Sequence, residues 1–300
     1  MATAQGVDFL RRAGRQGASR WRVVRFVRDW PILPAAIIIT MAVAAIFAPL
    51  IANHDPIKGN LNLRAIPPAW LEGGSTEFLW GTDALGRDVF SRVIYGSRIS
   101  LSVAGIILVG GAIGGTFLGL MSGWLGGIVD EVVMRIVDFM LATPFILVAL
   151  VVVIVFGKSM TLIITLLIIF SWDSFARQIR GETLSLKTFD YVSLARISGA
   201  SSARILYLHL LPGVFSTVMV MLSLRVGALI ITLSTLTYLG VGIPPPTPAW
   251  GLMVADGRDY VITGWWMTVF PGLAIFATVL AFNFLGDWLR DRFDPRLRQI

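Results

Sequence analysis

Residues 190–213 read DYVSLARISGASSARILYLHLLPG. In the first half, Tyr191, Leu194, Ala195 and Ser198 fall at helical spacing and share one small-to-apolar face. Gly199 permits a sharp turn after that helix. Ser201 or Ser202 can cap a second piece running from Ala203 to His209, and Pro212 suits the start of the next apolar run. The spacing therefore predicts two short helices with a glycine hinge and a proline stop. This element is water-facing, yet it lies between two strongly apolar segments. It is longer than a hairpin between helices needs, and its small exposed residues suit insertion into a partner's groove. An ordinary connecting loop is the plainer reading of the same residues.

The chain around it reads as membrane. Of its 300 residues 56% are hydrophobic and 14% charged, against about 25% charged in a soluble domain. The long uncharged runs predict an all-α membrane protein with six transmembrane helices. The net charge of +7 is concentrated at the start. Arg11, Arg12, Arg15, Arg20, Arg22, Arg25 and Arg28 precede the first apolar run, against Asp8 and Asp29. Such a cluster beside a span holds the N-terminus in the cytoplasm. No basic–aromatic interleaving points to nucleic acid. The absence of cysteine excludes disulfides and thiolate metal sites. The first apolar run starts past residue 30 and lacks a cleavage site, so it is expected to be a retained span rather than a signal peptide.

The expected order is a basic cytoplasmic tail (1–33), a first span (34–52), an irregular extracytoplasmic loop (53–98), a five-helix core (99–286) and a cytoplasmic tail (287–300). Within the core the expected spans are Ile99–Met121, Phe139–Phe156, Met160–Ile179, Pro212–Leu239 and Trp266–Leu285. The cytoplasmic loop 183–213 belongs to this core. Gly111, Gly115 and Gly119, four apart, let helices approach closely in lipid. Asp173 and Arg177 are one turn apart and predict an ion pair, as do Asp88 and Arg92. Asp83, Arg87, Asp88 and Arg92 either fasten the outer loop or meet a docking protein. The stiff 240–265 loop, with Pro245 and Trp250, offers a second contact of that kind.

No catalytic constellation is present. The two histidines, His54 and His209, fall on opposite sides of the membrane in this topology, and there is no P-loop, zinc-protease motif or nucleophile elbow. Neither an enzymatic activity nor a cofactor or metal bound by this chain is expected. Arg225 falls near the middle of a span, where a charge is costly and faces a cavity or a partner charge. It either lines a translocation path and favours a carboxylate or other anion, or pairs with a neighbouring subunit. The rival class is a stand-alone secondary transporter or channel, which needs acidic residues buried in its spans. Asp173 is almost the only candidate for that role.

The pattern A-x-x-x-G-A-S, at Ala195, Gly199, Ala200 and Ser201, is followed by H-x-L-P-G at His209, Leu211, Pro212 and Gly213. Together they resemble the coupling loop, or EAA loop, of ABC importer permeases. Ser193 stands where the family's loop carries its leading glutamate, and Leu194 where alanine is usual. GTDALGRDVFSRVIYGSRISLSV (81–103), TYLGVGIPPPTPAWG (237–251) and FNFLGDWLRDRFDPRLR (282–298) resemble the hallmarks of the C-type permease of dipeptide, oligopeptide and nickel importers. The resemblance implies the type I ABC importer permease fold, with both termini cytoplasmic, in a prokaryotic inner membrane. It implies a heterodimer with a homologous permease, two cytoplasmic ATP-binding subunits that use ATP and Mg, and an extracytoplasmic substrate-binding protein. Tyr191, Ser193, Leu194, Ala195, Gly199, Ala200, Ser201, His209 and Pro212 would then meet the ATPases. Thr232 replaces an acidic residue often found seven positions after that of Arg225, and would line the pathway with it. Di- and oligopeptides are the implied cargo, with nickel chelates or oligosaccharides as alternatives.

Overall fold

The computed structural model describes residues 31–293; most of the basic N-terminal tail and residues 294–300 lie outside the described residues. The first apolar run forms α1 (Ile32–Ile46), then after a break at Phe47 a single turn, α2 (Ala48–Ile51). Pro49 falls in the first turn of α2, where its missing N–H costs no helical bond. The remaining helices are α3 (Val89–Leu125), α4 (Gly127–Ala142), α5 (Phe145–Phe156), α6 (Met160–Ile169), α7 (Trp172–Leu186), α8 (Asp190–Ile197), α9 (Ser202–Ile205), α10 (Leu211–Tyr238), α11 (Trp250–Gly257) and α12 (Trp266–Phe293).

Four stretches among the described residues are long and apolar enough to cross a membrane: α3, α6 with α7, α9 with α10, and α12. The expected third span is broken. Its helices α4 and α5 meet at an 85° bend, because Pro144 cannot continue a helix and forces Thr143 into extended backbone. The helix α3 has 37 residues, about 56 Å at 1.5 Å rise, so it projects beyond a hydrocarbon core about 30 Å thick.

The glycines of α3 decide how it packs. A Cβ on Gly115 would lie 2.5 Å from Phe175 Cβ, one on Gly119 3.0 Å from Ile179 Cβ, and one on Gly123 2.7 Å from Thr183 Cβ. The facing residues advance together, so α3 and α7 run parallel, with the single crossing α4–α5 between them. In contrast, Gly227 faces Val279 and Asn283 while Gly286 faces Leu224, so α10 and α12 run antiparallel. Two arginines of α7 pair with α4, Arg177 with Asp138 and Arg180 with Asp130. The expected Asp173–Arg177 pair is not formed. Asp173 is buried and accepts from the Ser174 hydroxyl, while Arg177 is exposed and turned toward α4.

Residues 53–88 form an ordered cap over the N-terminal end of α3. Asp88 caps α3 by accepting from Ser91 N at 2.8 Å, so it does not pair with Arg92 as the spacing predicts. Trp266 Nε1 donates to Thr82 O at 3.0 Å, and Trp250 Nε1 donates to Val93 O at 2.9 Å. These bonds hold the cap and α3 against α11 and α12.

Pro212 does not stop the chain where the spacing places a stop. Residues 202–238 run as one helix, with a π-helical turn, Leu206–Leu210, just before α10. A proline in a regular helix clashes with the carbonyl four residues back. The residue four back, Leu208, lies inside this π turn, and the helix continues past the proline.

Candidate functional site

The end of the bundle away from the cap carries the 190–213 element. Lys187 Nζ donates to Trp124 O at 2.7 Å, which ties the start of this element to the end of α3. The Arg196 guanidinium lies 4.8 Å from the Trp124 ring centroid and grips the same residue from α8. Val192, Ile205, Leu210 and Val214 are fully buried with Leu120, Trp124 and Ile179, and Ala195 and Ala200 pack at the edge of that cluster. Burying each large apolar side chain contributes roughly 1.5–3 kcal/mol.

The turn between α8 and α9 follows the hydrogen bonds of a Schellman motif. Ala200 N donates to Ala195 O at 3.0 Å and Gly199 N donates to Arg196 O at 3.1 Å. Gly199 has φ +79°, the left-handed region, and no atom lies within 4 Å of where its Cβ would be. Ser201 caps α9 by accepting from Arg204 N. The rings of Tyr191 and His209 are 6.1 Å apart and join α8 to the π turn.

This anchoring leaves a surface. Ser193, Ser198 and Ser201 are exposed, as are the apolar residues Tyr191, Leu194 at 62% and Ile197 at 83%. Tyr191, Leu194 and Ser198 of the sequence pattern thus lie on the exposed side of α8, with Ala195 at its edge. Val192, absent from that pattern, is its buried anchor. Pro212 is exposed and His209 half-buried.

The second feature is the seam between α7 and α10. The Arg225 guanidinium lies 5.4 Å from the Phe175 ring centroid and feels the buried Asp173 carboxylate. It forms no ion pair among the described residues. Thr232, two turns along α10, is half-buried and its hydroxyl donates to Ala228 O at 2.9 Å. Toward the other end of the seam, the Glu182 carboxylate faces the Thr217 hydroxyl, and Glu182 Oε2 is buried without a hydrogen-bond partner. Glu182 is missed by reading spans alone. A signal did exist: Ser174, Gln178 and Glu182 repeat every four residues, one polar face of a helix.

Asp83, Arg87, Asp88, Arg92 and Trp250 are all buried, each 6% exposed or less. They fasten the cap and present no side chain to a docking protein. Arg87 Nε donates to Asp83 Oδ2 at 2.6 Å and Arg87 Nη2 to Asp256 Oδ2 at 3.0 Å. Arg92 lies 3.5 Å from the same Asp83 oxygen and 3.8 Å from the Asp256 carboxylate, and donates to Pro56 O. Asp256 is a further partner that no spacing announces. Of the six outer residues only Pro245 is exposed.

This arrangement, a long apolar helical bundle with a folded cap at one end and an anchored exposed helix pair at the other, is that of a membrane permease. Residues 115–299 match the family described as binding-protein-dependent transport system inner membrane component. The chain is 39% identical over 262 residues to the dipeptide transport system permease protein DppC of Haemophilus influenzae, covering 87% of this chain and 89% of that one. It is 43% identical over 285 residues to the glutathione transport system permease protein GsiD of Escherichia coli O157:H7, covering 93% and 90%. A crystal structure of an amino acid ABC transporter with histidines superposes with a TM-score of 0.53 at 16% identity, over 68% of this chain and 95% of that one, which shows the shared fold.

The chain belongs to the binding-protein-dependent transport inner membrane components, the permease subunits of ABC importers. It is a multi-pass inner-membrane protein, working with ATPase and binding-protein partners.

Proposed function

We propose that this chain is the C-type permease of an ATP-driven peptide importer, working by alternating access. The chain crosses the membrane six times with both termini in the cytoplasm. It pairs with a homologous permease, with two ATP-binding subunits on the 190–213 side and a substrate-binding protein on the cap side. ATP and Mg act in the partner subunits. The observation that carries this reading is the α8–α9 surface: Tyr191, Leu194 and Ile197 exposed on a helix pinned to α3 through Lys187, Arg196 and Trp124. A displacement of α8 by a partner is thereby passed to a helix long enough to reach the other face. Bundles of this kind are bistable, so a small push selects between two packings. Dipeptides, tripeptides and glutathione, the cargo in the names of its relatives, are the proposed substrate class. Arg225 and Thr232 line the path, and the exposed Pro245 loop meets the binding protein.

Reconstitution tests this directly. The chain, its partner permease, both ATPases and the binding protein in proteoliposomes should import short peptides only with ATP present. Peptide uptake that persists when the ATPases are omitted would return the chain to the stand-alone transporter class.

A further inference from the structure

The seam between α7 and α10 holds Arg225 and Glu182, and neither forms an ion pair among the described residues, although the buried Asp173 carboxylate lies in the neighbourhood of Arg225. Arg225 lies at the level of Asp173 and Phe175, and Glu182 lies opposite Thr217. Both charged side chains are half-buried within segments long and apolar enough to cross a membrane. An isolated charge there is costly, and it is held where something neutralises it. Between them α7 presents Ser174 and the exposed Gln178, and α10 continues the polar edge to Thr232.

We propose that Glu182 and Arg225 are two stations for the ends of one zwitterionic cargo, the ammonium at Glu182 and the carboxylate at Arg225. This rests on the reading of the chain as a peptide permease and narrows it. Thr217 and Arg225 are eight positions apart on α10, about 12 Å along the axis. An extended peptide advances about 3.3–3.6 Å per residue, so three to four residues span that distance. A dipeptide reaches one station at a time, and a long peptide overruns both. Arg225 meets a carboxylate with two parallel hydrogen bonds, a geometry an ammonium cannot share. Glu182 Oε2, without a hydrogen-bond partner among the described residues, is available to accept from an ammonium. The polarity is also oriented: the cargo's amino end faces the 190–213 end of the bundle.

The test uses the whole importer in proteoliposomes, with three mixed pools as probes: unblocked tripeptides, N-acetylated tripeptides and tripeptide amides. The binding protein is the same throughout, so its own preference cancels when a variant is divided by wild type. Glu182→Gln should reduce the advantage of unblocked over N-acetylated peptides by about tenfold, the scale of one hydrogen bond to a charge, and leave the advantage over amides. Arg225→Gln should do the reverse. Glu182→Asp should keep part of the amino-end preference, which gives a reading even where the glutamine variant fails to assemble. A Glu182→Gln importer that loses all three pools equally, or changes none, overturns the proposal in favour of a structural role. Wild-type importer that takes up no pool overturns the peptide reading itself, a distinct outcome.

Discussion

Arg87 and Asp256 are 169 positions apart in the chain and 3.0 Å apart in the structure. The contact joins the cap before α3 to α11, the helix between α10 and α12. Asp83 completes the group, accepting from Arg87 at 2.6 Å and lying 3.5 Å from Arg92. Four charged side chains are thus gathered where the cap closes over the bundle.

The two acids of this group are not equivalent. Both lie within 4 Å of both arginines, but the Asp83 side chain is 9% exposed and makes the closer contacts, whereas the Asp256 side chain is 38% exposed. Removing one partner of a buried pair costs about 3–5 kcal/mol, because the other charge is stranded. A hydrogen bond to a charge at a wetter site contributes about 1.5–3 kcal/mol. Asp83→Asn should therefore lower the thermal midpoint in detergent clearly more than Asp256→Asn. Equal shifts would contradict the ranking.

The glycines of α3 divide into two kinds. A Cβ on Gly115 would strike Trp172 O and Phe175, while Gly105 faces open space. Gly115→Leu should abolish folded protein on size-exclusion chromatography, since α7 cannot retreat without breaking the core around Phe175. Gly105→Ala should be accepted, with a gain of up to about 0.5–1 kcal/mol from helix propensity.

How far the sequence foretells this is uneven, for physical reasons. Apolar runs and small residues at four-residue spacing act within one helix, so α3, α10 and the Gly111–Gly119 stripe are legible. Gly199 and Ser201 are legible because a left-handed turn and a helix cap each need particular residues. What is lost is long-range. The spacing of Asp88 and Arg92 suggests a local pair, but each has a better use elsewhere, as a cap and as a partner to Asp83. Asp256 falls in the 240–265 segment, read from sequence as a loop, whose pattern announces neither α11 nor this contact. Val192 is missed because the twist of α8 against Trp124 depends on where α3 ends.

At Gly199 the structure separates two causes of failure. Its Cβ direction is open, so bulk alone does no harm; the φ of +79° does. A β-branched residue in the left-handed region costs at least about 1–2 kcal/mol, whereas asparagine tolerates it. Gly199→Val should lose the ATPases on co-purification while remaining in the membrane, and Gly199→Asn should retain them. Retention by both variants would detach this turn from ATPase docking.

Trp124 is where the 190–213 element meets α3. Lys187 binds its carbonyl, and the Lys187 ammonium and Arg196 guanidinium lie 5.5 Å and 4.8 Å from its ring centroid. Cation–ring contacts contribute about 0.5–2 kcal/mol each, by exposure. Trp124→Leu keeps an apolar residue in the cluster with Val192 and Leu210 but removes both ring contacts. The α8 surface remains available to the ATPases, yet its hold on α3 is loosened. ATP hydrolysis should then continue while transport falls, so ATP consumed per peptide imported rises several-fold in proteoliposomes. Trp124→Phe, which keeps a ring, should fall between the two. If Trp124→Leu lowers hydrolysis and transport in proportion, the tryptophan contributes to assembly alone, and force reaches α3 by another contact.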